Sequence, residues 1–278
     1  MTANTIEATL IYTQTPADGS KVFQFMYPDP ITGERKSNHT PAPVKMVIED
    51  LRGKEDSVTL DEAGFQFVKA PVKHTSLASD EEIQEEYYPE SIELLKKLTG
   101  ASKVICFDHT IRRRRPGVAG DTPETRQPAA GVHVDQTEAS AIARLRKHLS
   151  AAEADELLKH RFQIINIWRP IGHPAFDHPL ALCDFRTVNA KTDLVPGVLK
   201  FPDMERETFV VKHNPAHKWK YVRGMTPDEI VLIKCYDSVQ DGSVAIYTPH
   251  TAFEDPTTPP DAPLRESIEL RFFVFYED

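Results

Sequence analysis

The 278-residue chain is 40% apolar and carries a net charge of −9. That supports a large folded core and argues against a bulk nucleic-acid binder, which gains affinity by neutralising phosphates. With 12 Gly, 22 Pro and three scattered cysteines, Cys106, Cys183 and Cys235, it reads as loop-rich and globular, without a disulfide framework or a thiolate zinc site. No segment approaches the length of a membrane span, and Met1 to Thr9 lacks the pattern of a secretory leader, so a cytoplasmic, reducing setting is expected.

Residues 1 to 77 alternate short apolar runs with turn residues: Ala8 to Tyr12, Val22 to Met26, Val44 to Ile48 and Phe65 to Val68. These predict strands joined by loops. Asp80 opens a predicted helix with Glu81 and Glu82 in its first turn, and Pro89 opens a second, Glu90 to Leu98, ended by Gly100. Strand patterns follow at Val104 to Phe107 and Gly131 to Asp135. Thr137 is a predicted cap for a helix reaching about Lys159, with Ile142, Leu145 and Leu149 along one face. Strands resume at Phe162 to Trp168, Leu180 to Cys183, Thr208 to Lys212, Trp219 to Val222, Ile230 to Cys235 and Arg265 to Tyr276. Many short strands around one long helix predict a mainly β sandwich or barrel with flanking α-helices. The run Arg112-Arg113-Arg114-Arg115 lacks interleaved aromatics and is expected to be a solvated loop or a contact between copies in a homodimer; an anion or substrate site is the lesser reading.

In a strand, residues i and i+2 share a face, so His133 and Asp135 present an imidazole and a carboxylate side by side. His250 would complete a two-histidine, one-carboxylate set that holds Fe(II) by one face and leaves the opposite positions open. Zinc could use the same residues. The plainer alternative is that His133 bonds within a core, Asp135 caps the following helix, and His250 lies on the surface. At the tail, Arg265, Ser267, Glu269 and Arg271 share one strand face, and Ile268, Leu270 and Phe272 share the other. If that polar face points inward, Arg265 needs an anionic partner; if outward, the charges pair with one another.

The order His133-x-Asp135, His250, Arg265-x-Ser267 resembles the iron- and 2-oxoglutarate-dependent oxygenase superfamily. Gly131 to Thr137, Asn166 to Pro170, His178 to Asp184, Asp228 to Ser238, Thr248 to Phe253 and Arg265 to Arg271 resemble one branch of it. That branch is the gibberellin desaturase-like and cephalosporin 7α-hydroxylase-like family, which includes fungal meroterpenoid enzymes. The resemblance implies a double-stranded β-helix (jelly roll, cupin-like): one oxygenase domain over 1–278, with 1–100 an N-terminal elaboration and 101–278 the core. It implies that His133, Asp135 and His250 bind Fe(II) and act in catalysis. Arg265, with Ser267, would anchor 2-oxoglutarate; Arg271 would be the second choice, or a partner for the cosubstrate's other end. Trp168 and Arg169 would lie at the mouth or wall of a pocket for a small apolar substrate, a terpenoid or meroterpenoid ahead of a β-lactam. Dioxygen would be cosubstrate, and hydroxylation, desaturation, rearrangement or endoperoxidation would all start from abstraction of a hydrogen atom. The competing expectations are a hydrolase on the same fold and a non-catalytic cupin-like binding module.

Overall fold

The computed structural model describes residues 4–77, 79–118, 122 and 125–276. Its strands form two sheets. The larger runs in the order β1 (Thr5–Gln14), β3 (Thr40–Asp50), β11 (Trp219–Tyr221), β8 (Leu180–Cys183), β13 (His250–Ala252), β6 (His133–Val134), β10 (Glu205–Val211), β9 (Leu194–Lys200), β2 (Val22–Phe25). The smaller runs β4 (Phe65–Lys69), β12 (Glu229–Asp237), β7 (Phe162–Pro170), β14 (Glu266–Phe275), β5 (Lys103–Arg113). Pairing is antiparallel except where β11 meets β3 and β2 meets β9. The curled large sheet facing the small one is the double-stranded β-helix arrangement, with α-helices outside it.

The alternation along the small sheet divides the apolar residues between two layers. From β14, Phe273 and Phe275 enter the core between the sheets. Ile268, Leu270, Phe272 and Val274 enter a second core, which also takes Leu95 of a helix on the outer face. Strand β7 does the same, with Phe162, Ile164 and Trp168 inward and Ile165 and Ile167 outward. A sheet covered on both sides reads as a nearly continuous apolar run, which is the character of β7 and β12.

Ser79 and Thr137 cap helices where expected, but the separate helix expected to open at Pro89 is a continuation of the one that starts at Asp80 and has no capping side chain of its own. Ser79 caps α1 (Asp80–Glu82), which continues through a π-helical turn, Ile83–Tyr87, into α2 (Tyr88–Thr99). Gly100 closes α2 with φ of +72°, a conformation that a side chain disfavours. Thr137 and Ser140 form a reciprocal capping box on α3 (Glu138–His148). The expected single helix to Lys159 is instead two. Leu149 is extended, and the Ser150 hydroxyl accepts from Glu153 N to start α4 (Ala151–Leu157). A serine that caps competes with helix continuation.

Two further differences concern strands. Strand β9 was not expected because Pro196 and Gly197 interrupt its pattern, yet Gly197 lets Val22 and Val210 pack within 3.4 Å of where its Cβ would stand. The first three strands belong to the large sheet itself. No helix among the described residues is long and apolar enough to cross a membrane, and the three cysteines are unpaired.

Candidate metal centre

His133 and His250 sit directly opposite each other on the adjacent strands β6 and β13, with ring centroids 4.4 Å apart. Asp135, two residues along on the same face, brings Oδ1 to 3.3 Å from His133 Nε2 and 3.9 Å from His250 Nε2. The candidate ligand atoms of the three residues lie within 4.8 Å of one another. Asp135 does not cap α3, since Thr137 has that role.

The hydrogen bonds of the imidazoles identify what this cluster is built to hold. His133 Nδ1 is 2.7 Å from Gly131 O and His250 Nδ1 is 2.9 Å from Thr248 O. A carbonyl only accepts, so both Nδ1 atoms carry the proton, and in the neutral rings both Nε2 lone pairs face Asp135 Oδ1. Two lone pairs and a carboxylate converging in a buried place call for a cation, and this donor set with an open side suits Fe(II).

Asp135 is held from behind. Asn166 Nδ2 donates to its Oδ2 at 2.7 Å, Cys235 Sγ lies at 3.7 Å and Arg271 Nε at 4.0 Å, which leaves Oδ1 for the metal side. Burial opposes the carboxylate's charge, but when the imidazoles are protonated the His133 hydrogen bond and the charges of His250, His133 and Arg271 outweigh it and hold its pKa well below the usual value. Burial raises the Cys235 thiol, and the adjacent Asp135 charge adds to this, so Cys235 stays protonated as a donor.

The facing strand β14 turns its polar residues inward. Arg265 is 2% exposed, its Nε donates to Ser267 Oγ at 3.3 Å, and its Nη1 donates to His178 O at 2.6 Å. No carboxylate of the described residues lies within 4.0 Å of its guanidinium. Burial, and then the charge of Arg112, lower its pKa to about 9. Arg271 is in the opposite situation. Its Nη2 is 2.8 Å from Glu269 Oε1, and its Nη1 donates to Thr110 Oγ1 at 2.8 Å and lies 3.6 Å from Asp108. Burial again opposes the charge, yet Glu269, Asp135 and Asp108 together raise its pKa.

Trp168 and Arg169 are neighbours in sequence but separate in space. Trp168 lines the pocket with the three clustered residues, Arg112 and Arg265, and the Arg265 guanidinium lies 5.0 Å from its ring centre. It is 2% exposed, so it forms an interior wall rather than a mouth, and its Nε1 is buried without a hydrogen-bond partner. Arg169 is not in the pocket. Strand alternation turns it to the outer layer, where it donates to Tyr87 Oη, Ala70 O and Pro227 O.

Sequence reasoning missed two residues, Asn166 and Glu269, and gave a third, Arg112, a pocket role only as its lesser reading. Asn166 is the one uncharged polar residue among the inward positions of β7, two before Trp168, and that break in an apolar pattern was a usable signal. Glu269 lines the pocket and bonds both Asn166 and Arg271. Arg112 also lines it, donating to Gln127 O. The arginine run is therefore not simply a solvated loop. It ends β5, and Arg113 and Arg114 pair with Glu266 and Asp177.

Fold, carboxylate-histidine cluster and buried arginine together define a non-haem iron, 2-oxoglutarate-dependent oxygenase. Residues 10–275 match the family model described as Oxidoreductase/YMDC permease-like domain. The chain is 36% identical to the hydroxylase/desaturase efuI of Hormonema carpetanum, covering 99% of this chain and 96% of that one. It is 34% identical to the Fe(II)/2-oxoglutarate-dependent dioxygenase nvfI of Aspergillus novofumigatus, covering 97% and 96%. A solved structure of the iron and alpha-ketoglutarate-dependent endoperoxidase NvfI superposes with a TM-score of 0.88 at 30% identity, over 99% of this chain and 98% of that one. The chain belongs to this fungal hydroxylase/desaturase family of iron- and 2-oxoglutarate-dependent oxygenases.

Proposed function

We propose that His133, Asp135 and His250 hold Fe(II), that Arg265 anchors 2-oxoglutarate with Ser267, and that the enzyme oxidises a C–H bond of a small, largely apolar specialised metabolite of terpenoid or meroterpenoid type. The observation that carries this is the polarity of one pocket. One side offers two Nε2 lone pairs and a carboxylate, and the other offers a buried guanidinium without an acid partner. A dicarboxylate that chelates the metal at one end matches both sides. Its far carboxylate takes the rigid fork of Arg265, which suits planar bidentate contact. The names of the relatives, hydroxylase/desaturase and endoperoxidase, support the range of outcomes.

Bound there, iron with 2-oxoglutarate and dioxygen would supply the oxidising power to abstract a hydrogen atom from substrate, drawn from conversion of 2-oxoglutarate to succinate and carbon dioxide. The residues of the chain do the positioning. The carbonyls of Gly131 and Thr248 fix both imidazole tautomers, Asn166 and Arg271 set the Asp135 rotamer, and Ser267 and His178 O orient the Arg265 fork. Trp168 closes the wall beside that fork and keeps water from it.

The test is anaerobic addition of 2-oxoglutarate to the Fe(II)-loaded protein. A visible charge-transfer band of the chelate is expected, requiring more 2-oxoglutarate in Arg265→Ala than in the wild type. Iron that binds without giving the band on addition of 2-oxoglutarate would sink the reading.

A further inference from the structure

A second group of cations adjoins the metal pocket on the side away from Arg265. Arg271 links the two, since it reaches Asp135 with Nε and Asp108 with Nη1. Its Nη1 shares the hydroxyl of Thr110 with Arg126 Nη1, which donates at 2.9 Å. Strand β5 turns Asp108, Thr110 and Arg112 to the inner face opposite Arg271, Glu269 and Ser267. Arg144, from α3, stands over the ring of Phe107 at 5.5 Å, so α3 lies across this free edge of the small sheet. Arg206, from β10, stands over Phe201 at 5.0 Å.

Among the described residues the charges here do not balance. Arg126, Arg144 and Arg206 are all half-buried, and no ion pair within 4.0 Å among the described residues includes any of them. The carboxylates in electrostatic reach of Arg144 are Asp108 and Asp135, and those of Arg206 are Asp108 and Asp203. Asp108 is already beside Arg271, and Asp135 belongs to the metal cluster. The crowding is large enough to register: burial, then the charges of Arg206 and Arg271, push Arg144 down to about 10. Half-buried guanidinium groups without acids lose hydration and gain little in return, so a fold that only needed stability would have no use for three. Cations set beside aromatic rings on the flank of the metal pocket suit an amphipathic ligand, with its anionic end among the guanidinium groups and its apolar body against the rings.

We infer that the organic substrate carries a carboxylate, and that Arg126, Arg144 and Arg206 seat it on the flank of the metal pocket beside Asp108 and Thr110. This rests on the proposed iron and 2-oxoglutarate site, because Arg271 is what places the cluster on its flank. The cluster is separate from the cosubstrate anchor. Arg265 faces Trp168 and His178, whereas these three arginines surround Asp108 and Thr110.

The experiment uses the Fe(II) and 2-oxoglutarate complex without oxygen and a panel of polycyclic terpenoid acids with their methyl esters. Binding is read by calorimetry. At least one acid is expected to bind about fivefold more tightly than its ester, the scale of one partly exposed charge pair. That preference should shrink as sodium chloride is raised, and should vanish in Arg144→Gln/Arg206→Gln. The lysine pair Arg144→Lys/Arg206→Lys should restore most of it, and 2-oxoglutarate binding should be unchanged in both. No acid binding ahead of its ester, or a preference that survives both salt and the glutamine pair, overturns the inference. Should the glutamine pair not fold, the salt titration of the wild type decides alone. Failure of the cosubstrate reading is distinct: the wild type would then not bind 2-oxoglutarate at all.

Discussion

The molecule buries cations in two ways. At one end of the small sheet, Lys234 and Arg161 close around Asp237, at 2.9 Å and 2.7 Å, and Gln163 donates to the same carboxylate at 2.7 Å. Every charge there has its partner in the chain. At the other end, Arg265 is just as deeply enclosed, yet it has only a hydroxyl and a carbonyl as acceptors. The first arrangement spends its interactions on the fold. The second keeps a charge-assisted hydrogen bond in reserve, which is what a ligand site needs. Arg271 lies between these extremes, paired with Glu269 but also steadying the metal-facing Asp135.

The predictions that bear on this contrast run from the largest effect downward. His133→Ala should abolish tight Fe(II) binding and all turnover while leaving thermal unfolding little changed, and unchanged iron stoichiometry would defeat the metal assignment. Asp237→Asn breaks the closed network and leaves Lys234 and Arg161 to share the exposed Asp61 as their remaining acid, so unfolding in denaturant should show a loss at the lower end of roughly 3–5 kcal/mol. The pH dependence has a definite sign. Burial opposes the Asp237 charge, but Arg161, Lys234 and Gln163 hold its pKa below the ordinary 3.8. Its contribution is therefore complete above about 3.8 and lost as pH falls through the folded-state value, so wild type and variant should converge in acid. Parallel stability curves down to the lowest pH would refute that. Arg265→Ala should do the reverse, raising the 2-oxoglutarate requirement by roughly 2–4 kcal/mol with little loss of stability. Arg271→Ala should instead weaken Fe(II) binding by roughly tenfold to a hundredfold, the usual scale for a residue that orients a ligand. If titration gives Arg271→Ala the selective cosubstrate defect, the two arginines have exchanged roles.

How much of this could be read from the sequence depended on whether the determinant was local. The His133-x-Asp135 pair, the alternation of Arg265 to Phe272, the Thr137 cap and the Gly100 stop all express strand or helix periodicity within a few residues, and each has its expected place. His250 could be offered as a third ligand but not told from a surface histidine without the resemblance, because a three-residue strand has almost no periodic signal; only tertiary pairing puts it opposite His133. Arg169 failed for a simple reason. One step along a strand reverses the face, so a neighbour of Trp168 could not share its pocket. Asn166, Glu269 and Arg112 needed knowledge of which strand lies beside which. The split between α3 and α4 turned on whether Ser150 would cap or continue, which propensity alone does not decide.

The smallest expected effect belongs to Trp168, whose two functions can be separated by choice of substitution. Its ring packs beside the Arg265 guanidinium and lines the pocket with Arg112 and Arg265, and its buried Nε1 has no hydrogen-bond partner among the described residues. Beside the donors of Arg265, that N–H would add to them at the far carboxylate of the proposed cosubstrate. Trp168→Phe keeps a flat ring beside Arg265 and removes only the donor. A net hydrogen bond is worth about 1 kcal/mol, so 2-oxoglutarate half-saturation should rise roughly fivefold with coupling of succinate to product unchanged. Trp168→Ala removes the wall as well. Conversion of 2-oxoglutarate without substrate should persist, but product formed per succinate should fall, because a looser pocket lets the substrate radical drift or meet water. The measurement is that ratio for the three proteins under the same iron and oxygen. Equal half-saturation in wild type and Trp168→Phe would remove the indole N–H from the cosubstrate site. A coupling ratio in Trp168→Ala equal to that of the wild type would make Trp168 a packing residue, and the substrate would then have to meet the iron along some other wall.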